Sequence, residues 1–499
     1  MTHAEIFKNS TICAVASSSG APSALAIIRL SGPLSHQIVG KIFRPVSKAS
    51  LLPHRIYLGS IYENERTVDE VLVHIASAPS SFTGEDTAEI TCHGSLYVVQ
   101  EIMRMAMDAG ASPALPGEFS QRAFLNGKID LAQAEAIADL IASENEAAHR
   151  LAMEQMRGGF SAQISNLRSS LVNFASLLEL ELDFSEEDVT FADRTQLLNL
   201  LAQVIQTIES LCKSFSLGNV LKKGVPTAIV GATNVGKSTL LNALLDDERA
   251  IVSDIHGTTR DTIEEETTIN GVCFRFIDTA GLRESQEEIE KMGIERSHQK
   301  IRTAAILLPV IDVTHPELFR KEIHQIAAQI DIEQQQVIVV LNKYDTINDK
   351  DPIYNNGVIL CNSNSINTAD IIYNDLISNI INIFFQEKVS PYAIATVSAK
   401  YKMGIDSLKA LLSSAIEARF DAAKLAPNAI LVTNLRHLSA LEEAKISLNR
   451  VREGLSSTLP TDLIAQDLRQ ALYDLGTITG DVSTEEILGN IFGKFCIGK

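Results

Sequence analysis

A chain of 499 residues is too long for one ordinary hydrophobic core, and about 150 residues per domain predicts roughly three domains. Its composition, 45% hydrophobic and 21% charged, excludes a disordered or collagen-like polymer. With 43 Lys and Arg against 62 Asp and Glu the formal net charge is -19, which excludes a generally basic nucleic-acid binder and confines any RNA contact to a local patch.

Cys13, Cys92, Cys212, Cys273, Cys361 and Cys496 are scattered without a CxxC pair, so neither a zinc knuckle nor a disulfide scaffold is indicated and a reducing compartment is expected. No apolar run reaches the roughly 18 residues of a membrane helix, and MTHAEIFKNS lacks the features of a signal or transit peptide. A cytoplasmic protein without membrane contact is expected.

Residues 1–127 mix short β-type runs (TICAVA, ALAIIRLSG, EVLVHIA, TAEITCHG) with one helical stretch, VVQEIMRMAMDAG, and read as an α+β domain. Residues 128–223 are helical. Phe160, Ile164, Leu167, Leu171, Phe174 and Leu178 recur at spacings of three and four, as do Leu197, Leu201, Val204, Ile208 and Leu211. Residues 224–422 alternate strand and helix signals, and residues 423–499 return to helical periodicity. The expected fold is therefore multidomain: an N-terminal α+β domain, a discontinuous α-helical bundle closed by its two separated stretches, and an inserted α/β domain. The Asn- and Ile-rich residues 348–390 interrupt the rhythm of the insert, and Pro309 should break one ladder bond of the strand Ile306 to Val313.

The strand ending at Val230 runs into Gly231-Ala-Thr-Asn-Val-Gly-Lys237-Ser238, a GxxxxGKS loop that opens a helix. Asn234, Val235, Gly236, Lys237, Ser238 and Thr239 are placed to cradle phosphates with amide N–H groups, with Lys237 on the β and γ phosphates and Ser238 on magnesium. The loop Ser253, Asp254, Ile255, His256, Gly257, Thr258 and Thr259 follows; one of its two threonines should complete the metal shell. Next comes Asp278, Thr279, Ala280 and Gly281 after an apolar strand, with Asp278 expected to hold magnesium through water and Gly281 to sense the γ-phosphate.

The base is selected by Asn342, Lys343, Tyr344 and Asp345 after the strand Val337 to Leu341. A carboxylate at Asp345 accepts two hydrogen bonds from guanine and would stay unpaired against adenine, which favours GTP over ATP. Ser398, Ala399 and Lys400 complete the ordered set. Leu282 stands where Ras-type enzymes carry their water-orienting glutamine, so hydrolysis must use another residue, and Glu284, Glu287, Glu288 and Glu290 lie nearby. Cys496 admits three readings at this point: an inert tail cysteine, a prenylation site with the poor final residue Lys499, or a functional thiol flanked by Lys494 and Lys499.

This motif order, the LKKG before the GTPase unit, the flanking helical stretches, Pro116 to Lys128 followed by IDLAQAEAIADLI, and the terminal Phe495-Cys-Ile-Gly-Lys499 together resemble the MnmE (TrmE) family of tRNA-modification GTPases over nearly the whole chain. The resemblance implies a folate-binding, dimerising N-terminal domain, with Arg29, Glu89, Lys128 and Lys499 on a tetrahydrofolate derivative in its 5,10-methylene or 5-formyl form. It implies potassium held by Asn234, Ser253, Ile255 and Thr258, magnesium held by Ser238 and Thr259, and Glu290 orienting the attacking water. It raises Cys496 to a catalytic thiol. It further implies a homodimer that joins an MnmG-like flavin protein in a heterotetramer and adds an aminomethyl or carboxymethylaminomethyl group to carbon 5 of the wobble uridine of certain tRNAs. The rival reading is a GTPase switch in ribosome assembly.

Overall fold

The computed structural model describes residues 10–17, 21–47, 50–64, 66–183, 194–232, 234–245, 264–278, 304–315, 335–346, 358–360, 382, 384, 386, 389, 391–419, 430–457, 459–482, 485–493 and 495–498. They form two compact units, one from Met1–Ala142, Ala152–Ser210 and Leu435–Lys499, the other from Ser143–Leu151 and Leu211–Asn434.

The first unit opens with β1 (Ile12–Val15), β2 (Ser23–Ser31), α1 (Ser35–Ile42), β3 (Phe43–Pro45), β4 (Arg55–Glu63), β5 (Arg66–Ala76), β6 (Thr87–Gly94), α2 (Leu96–Asp108) and β7 (Ser112–Pro113). The strands join one sheet in the order β3-β4-β5-β6-β2-β1-β7. Period-two alternation decides its faces. Tyr57, Val73, Ile90 and Ile28 are in register across four strands, and all are buried beneath α1 and α2 with Ile38, Val39, Ile102 and Ala106. One residue along, the opposite face carries the row Ile56, His74, Glu89 and Arg29.

The helices of this unit are α3 (Glu118–Leu125), α4 (Leu131–Ile141), the C-terminal part of α5 (Glu146–Met156), α6 (Gly159–Asp183), much of α7 (Arg194–Lys223), α10 (Leu435–Ser456), α11 (Thr461–Thr479) and α12 (Glu485–Phe492). The α4 N-terminus is set by a capping box: the Asp130 carboxylate accepts from the Gln133 amide, and the Gln133 side chain accepts from the Asp130 amide. The stripe of α6, from Phe160 to Leu178, is buried as its spacing predicts, and α11 packs between α6 and α10. The two helical stretches thus close one bundle.

A buried ionic clasp ties α4 to α10 and α11. Arg436 donates from Nε and Nη2 to Glu135 at 3.0 and 2.9 Å, and to the carbonyls of Thr477 and Ile478. His437 Nε2 stands 2.6 Å from the same carboxylate, its ring 5.1 Å from that of Phe160. Burial alone would raise the Glu135 carboxyl; the hydrogen bonds and charges of His437 and Arg436 overcome that penalty and hold it down at about 2.

In the second unit β8 (Val225–Val230), β9 (Glu264–Ile269), β10 (Val272–Asp278), β11 (Ile306–Asp312), β12 (Gln336–Asn342), β13 (Val358–Leu360) and β14 (Ala393–Thr396) form a sheet in the order β13-β14-β12-β11-β8-β10-β9. Its five central strands pair in parallel and its two edge strands antiparallel. Strands buried on both faces read as unbroken apolar runs, and every residue of β11 is buried. The β11–β12 ladder shows no pair at Leu308 or Pro309, as expected of a residue without an N–H, while Leu307 and Val310 on either side are paired. Helices α8 (Lys237–Leu245) and α9 (Ile405–Arg419) supply Leu240, Leu244, Leu408 and Leu412 to the same core.

Candidate functional site

The carboxyl ends of β8, β11 and β12 bring the phosphate and base motifs together. Gly231 has φ +146°, and a Cβ there would lie 2.4 Å from the Val310 carbonyl; Gly236 has φ +98°, and its Cβ would lie 2.3 Å from Asn342 Nδ2. The loop therefore needs glycine at both positions to turn and to pass so close to its neighbours. Asn234 sits between them with φ +66° and an exposed side chain. Lys237 opens α8 and donates to the carbonyls of Gly231 and Ala232, both at 2.7 Å. Ser238 and Thr239 are exposed in the first turn, beside amides that a helix N-terminus leaves free for an anion.

The base motif braces this loop from the side. Asn342 is buried, donates to the Val235 carbonyl at 2.8 Å and accepts from the Ala399 amide at 3.1 Å, so one amide side chain joins three motifs. Lys343, itself at φ +65°, donates to the Asn234 carbonyl at 3.0 Å and to Asp312 Oδ2 at 2.6 Å. Tyr344 is buried, with its amide on the Val397 carbonyl. The Asp345 Oδ1 accepts from Ser398 Oγ at 2.6 Å, and Lys400 lies over the Tyr401 ring. Asp278 ends β10 in register with Ile229 of β8.

Asp312 was invisible in the sequence. It ends β11, and its Oδ1 accepts from the Thr314 amide and hydroxyl at 3.0 and 2.6 Å. Burial opposes its charge, but Lys343 and Thr314 outweigh burial and hold the carboxyl below its ordinary value.

A second cluster lies in the first unit. Arg29 donates from Nε to Glu89 at 2.8 Å, and its guanidinium stands over the rings of Phe82 and Phe119. Lys128 donates to the Pro79 carbonyl at 3.1 Å, on the loop that carries Phe82. Cys496 is exposed, and its carbonyl accepts from the Gly117 amide at 3.3 Å, two residues before Phe119. The tail is pinned by Phe492 and Phe495, which pack with Phe124 against Leu131 and Ala134. Arg29, paired with Glu89, and Lys128 thus both reach the loop that carries Pro79 and Phe82, while the Cys496 carbonyl meets the start of the helix that carries Phe119. Ser253, Asp254, Ile255, His256, Gly257, Thr258, Thr259, Thr279, Ala280, Gly281, Glu290 and Lys499 lie outside the described residues.

Two family descriptions match the chain: "MnmE helical domain" over residues 131–496, and "GTP-binding protein TrmE N-terminus" over residues 11–128. The chain is 45% identical over 503 residues to the tRNA modification GTPase MnmE of Christiangramia forsetii, covering 98% of this chain and 99% of that one. The same name is carried by relatives from Bacteroides thetaiotaomicron, 45% identical over 495 residues, and Flavobacterium johnsoniae, 46% identical over 496 residues, each at 98% and 99% coverage. This chain belongs to the MnmE family of tRNA modification GTPases. Among solved structures, the G-domain of FeoB from Methanococcus jannaschii is similar over 38% of this chain and 96% of its own, at 20% identity and TM-score 0.23. Era from Aquifex aeolicus is similar over 44% and 65%, at 27% identity and TM-score 0.27.

This MnmE-family chain also holds a buried charge cluster that motif reading passed over. Arg122 donates to Glu85 at 3.0 Å, to Glu118 at 3.2 Å and to the Ser10 carbonyl at 2.8 Å, and Ser31 donates to the same Glu85. The i,i+4 spacing of Glu118 and Arg122 was its one local signal. Among the described residues, no helix is long and apolar enough to cross a membrane.

Proposed function

We propose that this MnmE-family GTPase uses GTP hydrolysis to drive addition of an aminomethyl or carboxymethylaminomethyl group to carbon 5 of a tRNA wobble uridine, together with an MnmG-like flavin protein. The observation that carries this reading is the coexistence of two sites: a guanine-type base motif braced on a phosphate loop, and, in the N-terminal sheet, a guanidinium–carboxylate pair between Arg29 and Glu89, in a chain whose tail carries an exposed cysteine. A ribosome-assembly switch requires only the first.

At the first site Asp345 accepts the ring N–H and amine of guanine, Lys237 and the loop amides hold the phosphates, Asp278 would hold magnesium through water, and the Gly281 amide senses the γ-phosphate. Hard oxygen donors suit the ions invoked: Ser238 and Thr259 would hold magnesium, and Asn234, Ser253, Ile255 and Thr258 potassium. These cations supply charge that offsets the negative transition state, and Glu290 orients the attacking water. At the second site Arg29, Glu89, Lys128 and Lys499 would hold the tetrahydrofolate derivative. The donor set fits it, since Arg29 Nη1 and Nη2 and Glu89 Oε2 have no hydrogen-bond partner among the described residues. That group would supply a one-carbon unit when bound, and the exposed Cys496 would offer the thiol.

The reading assigns residues 1–127 to dimerisation and folate, 128–223 and 423–499 to the helical domain, and 224–422 to GTP, in a cytoplasmic heterotetramer. Its test is nucleoside analysis of tRNA from cells lacking the protein and complemented with this chain. Return of 5-substituted wobble uridines with wild type, and its failure with Cys496→Ser despite normal GTP turnover, is the expected result. Unchanged tRNA nucleosides with immature ribosomal particles would overturn it.

A further inference from the structure

The last residues of a chain usually fray, because a terminus has few contacts to offset the entropy of ordering it. Here the C-terminal tail is held at two points, and at each a glycine lets two backbones touch. Gly117, at φ +66°, caps the start of α3 and donates its amide to the Cys496 carbonyl at 3.3 Å. A Cβ on it would lie 2.6 Å from the Phe492 carbonyl oxygen and 3.0 Å from the Phe495 Cβ.

The second point lies beyond Cys496. Gly498 is buried at φ +97°, and a Cβ on it would lie 2.4 Å from the Val15 carbonyl oxygen and 3.1 Å from the Ala16 Cα. On that edge of β1 the Thr11 and Cys13 carbonyls accept from the amides of Ser112 and Ala114. Carbonyls alternate in direction along a strand, so the Val15 carbonyl is the next one on this edge, and Gly498 meets it where β7 has ended.

Between the two points the side chains of Cys496 and Ile497 stay exposed, Ile497 at 61%. Burial of these two side chains therefore does not explain the docking; the chain is fixed on both sides of one thiol. The obstacles at Gly498 are backbone atoms, which no rotamer change moves aside. Any side chain there would push the tail off β1 by about 1 Å.

We propose that Gly498, together with Gly117, is a positioning residue for the Cys496 thiol: the two glycines clamp the tail so that the thiol is presented in one place for wobble-uridine modification. This deepens the reading of Cys496 above and rests on it.

The test measures tRNA modification reconstituted with the cognate flavin protein. Gly498→Ala should lower kcat on the order of 100-fold, the scale of a displaced reacting group, with the KM for tRNA and the circular dichroism spectrum unchanged. Gly489→Ala, on α12 where a Cβ meets nothing within 4 Å, should match wild type. A nitroxide is placed on Cys496 in a Cys212→Ser, Cys361→Ser background, whose other cysteines, Cys13, Cys92 and Cys273, are buried. It should give the broad spectrum of an immobilised label, narrowed by Gly498→Ala. Wild-type kcat in Gly498→Ala, an equal loss in Gly489→Ala, or a mobile label on the unaltered tail would overturn the clamp and leave the thiol reading standing. Full modification by Cys496→Ser would overturn both.

Discussion

Asp312 contacts no nucleotide motif by sequence, yet the structure makes it the anchor of one. Lys343 lies between its carboxylate and the Asn234 carbonyl, so a charge at the end of β11 fixes the position of the phosphate loop. The Asp312 side chain is 9% exposed and that of Lys343 38%, which places the pair between a buried and a surface ion pair, worth about 1 kcal/mol. Asp312→Asn should therefore weaken GTP and GDP binding about fivefold and change turnover at saturating GTP little, read by stopped-flow with a fluorescent guanine nucleotide. Because the folded carboxyl lies below its ordinary value, the contribution is present above that ordinary value and is lost as pH falls through the folded one. Equal affinity in the variant would remove Asp312 from the nucleotide site. The residues with fixed spacing, Gly231, Gly236, Lys237, Asn342 and Asp345, were legible because phosphate and guanine chemistry demand those types in that order. Asp312 was not, because a lone carboxylate after a strand carries no such constraint.

At the scale of elements, the helical stripes were legible because a period of 3.6 repeats the same apolar demand every turn. The clasp between α4, α10 and α11 was hidden, since Glu135 and Arg436 lie 301 residues apart and each looks like an ordinary surface charge. Burial opposes the Glu135 charge and His437 and Arg436 restore it, bringing the carboxyl from its ordinary 4.5 down to about 2. A depressed folded value means stability that is fully present above pH 4.5 and is lost as pH falls toward 2. Glu135→Gln should cost on the order of 3 kcal/mol at pH 7, and the gap to wild type should narrow below pH 4.5, as measured by urea unfolding monitored by circular dichroism. A gap that stayed constant with pH would show that the charge of Glu135 does not hold the helices.

For the whole molecule, the outer face of the N-terminal sheet is the feature that asks for a partner. Leu58 and Leu72 are directly opposed across β4 and β5, 57% and 45% exposed, with Ile56 at 68% and Leu25 at 61% on the same face. Burying this apolar face against a second copy accounts for the proposed homodimer. The wild-type chain should scatter light as a dimer at micromolar concentration, and Leu58→Asp with Leu72→Asp should scatter as a monomer while keeping its circular dichroism spectrum. A wild-type monomer would refute the assembly. By itself, the sequence determined the α/β insert, the order of the GTP motifs and the helical stripes, because each is a local pattern enforced by backbone geometry or ligand chemistry. Only the tertiary structure decided that the two helical stretches close on Glu135, that Asp312 braces Lys343, and that Arg29 and Lys128 both reach the loop that carries Pro79 and Phe82. Those contacts join residues far apart in the chain, and no spacing rule links side chains that meet only after the sheet and the bundle have packed.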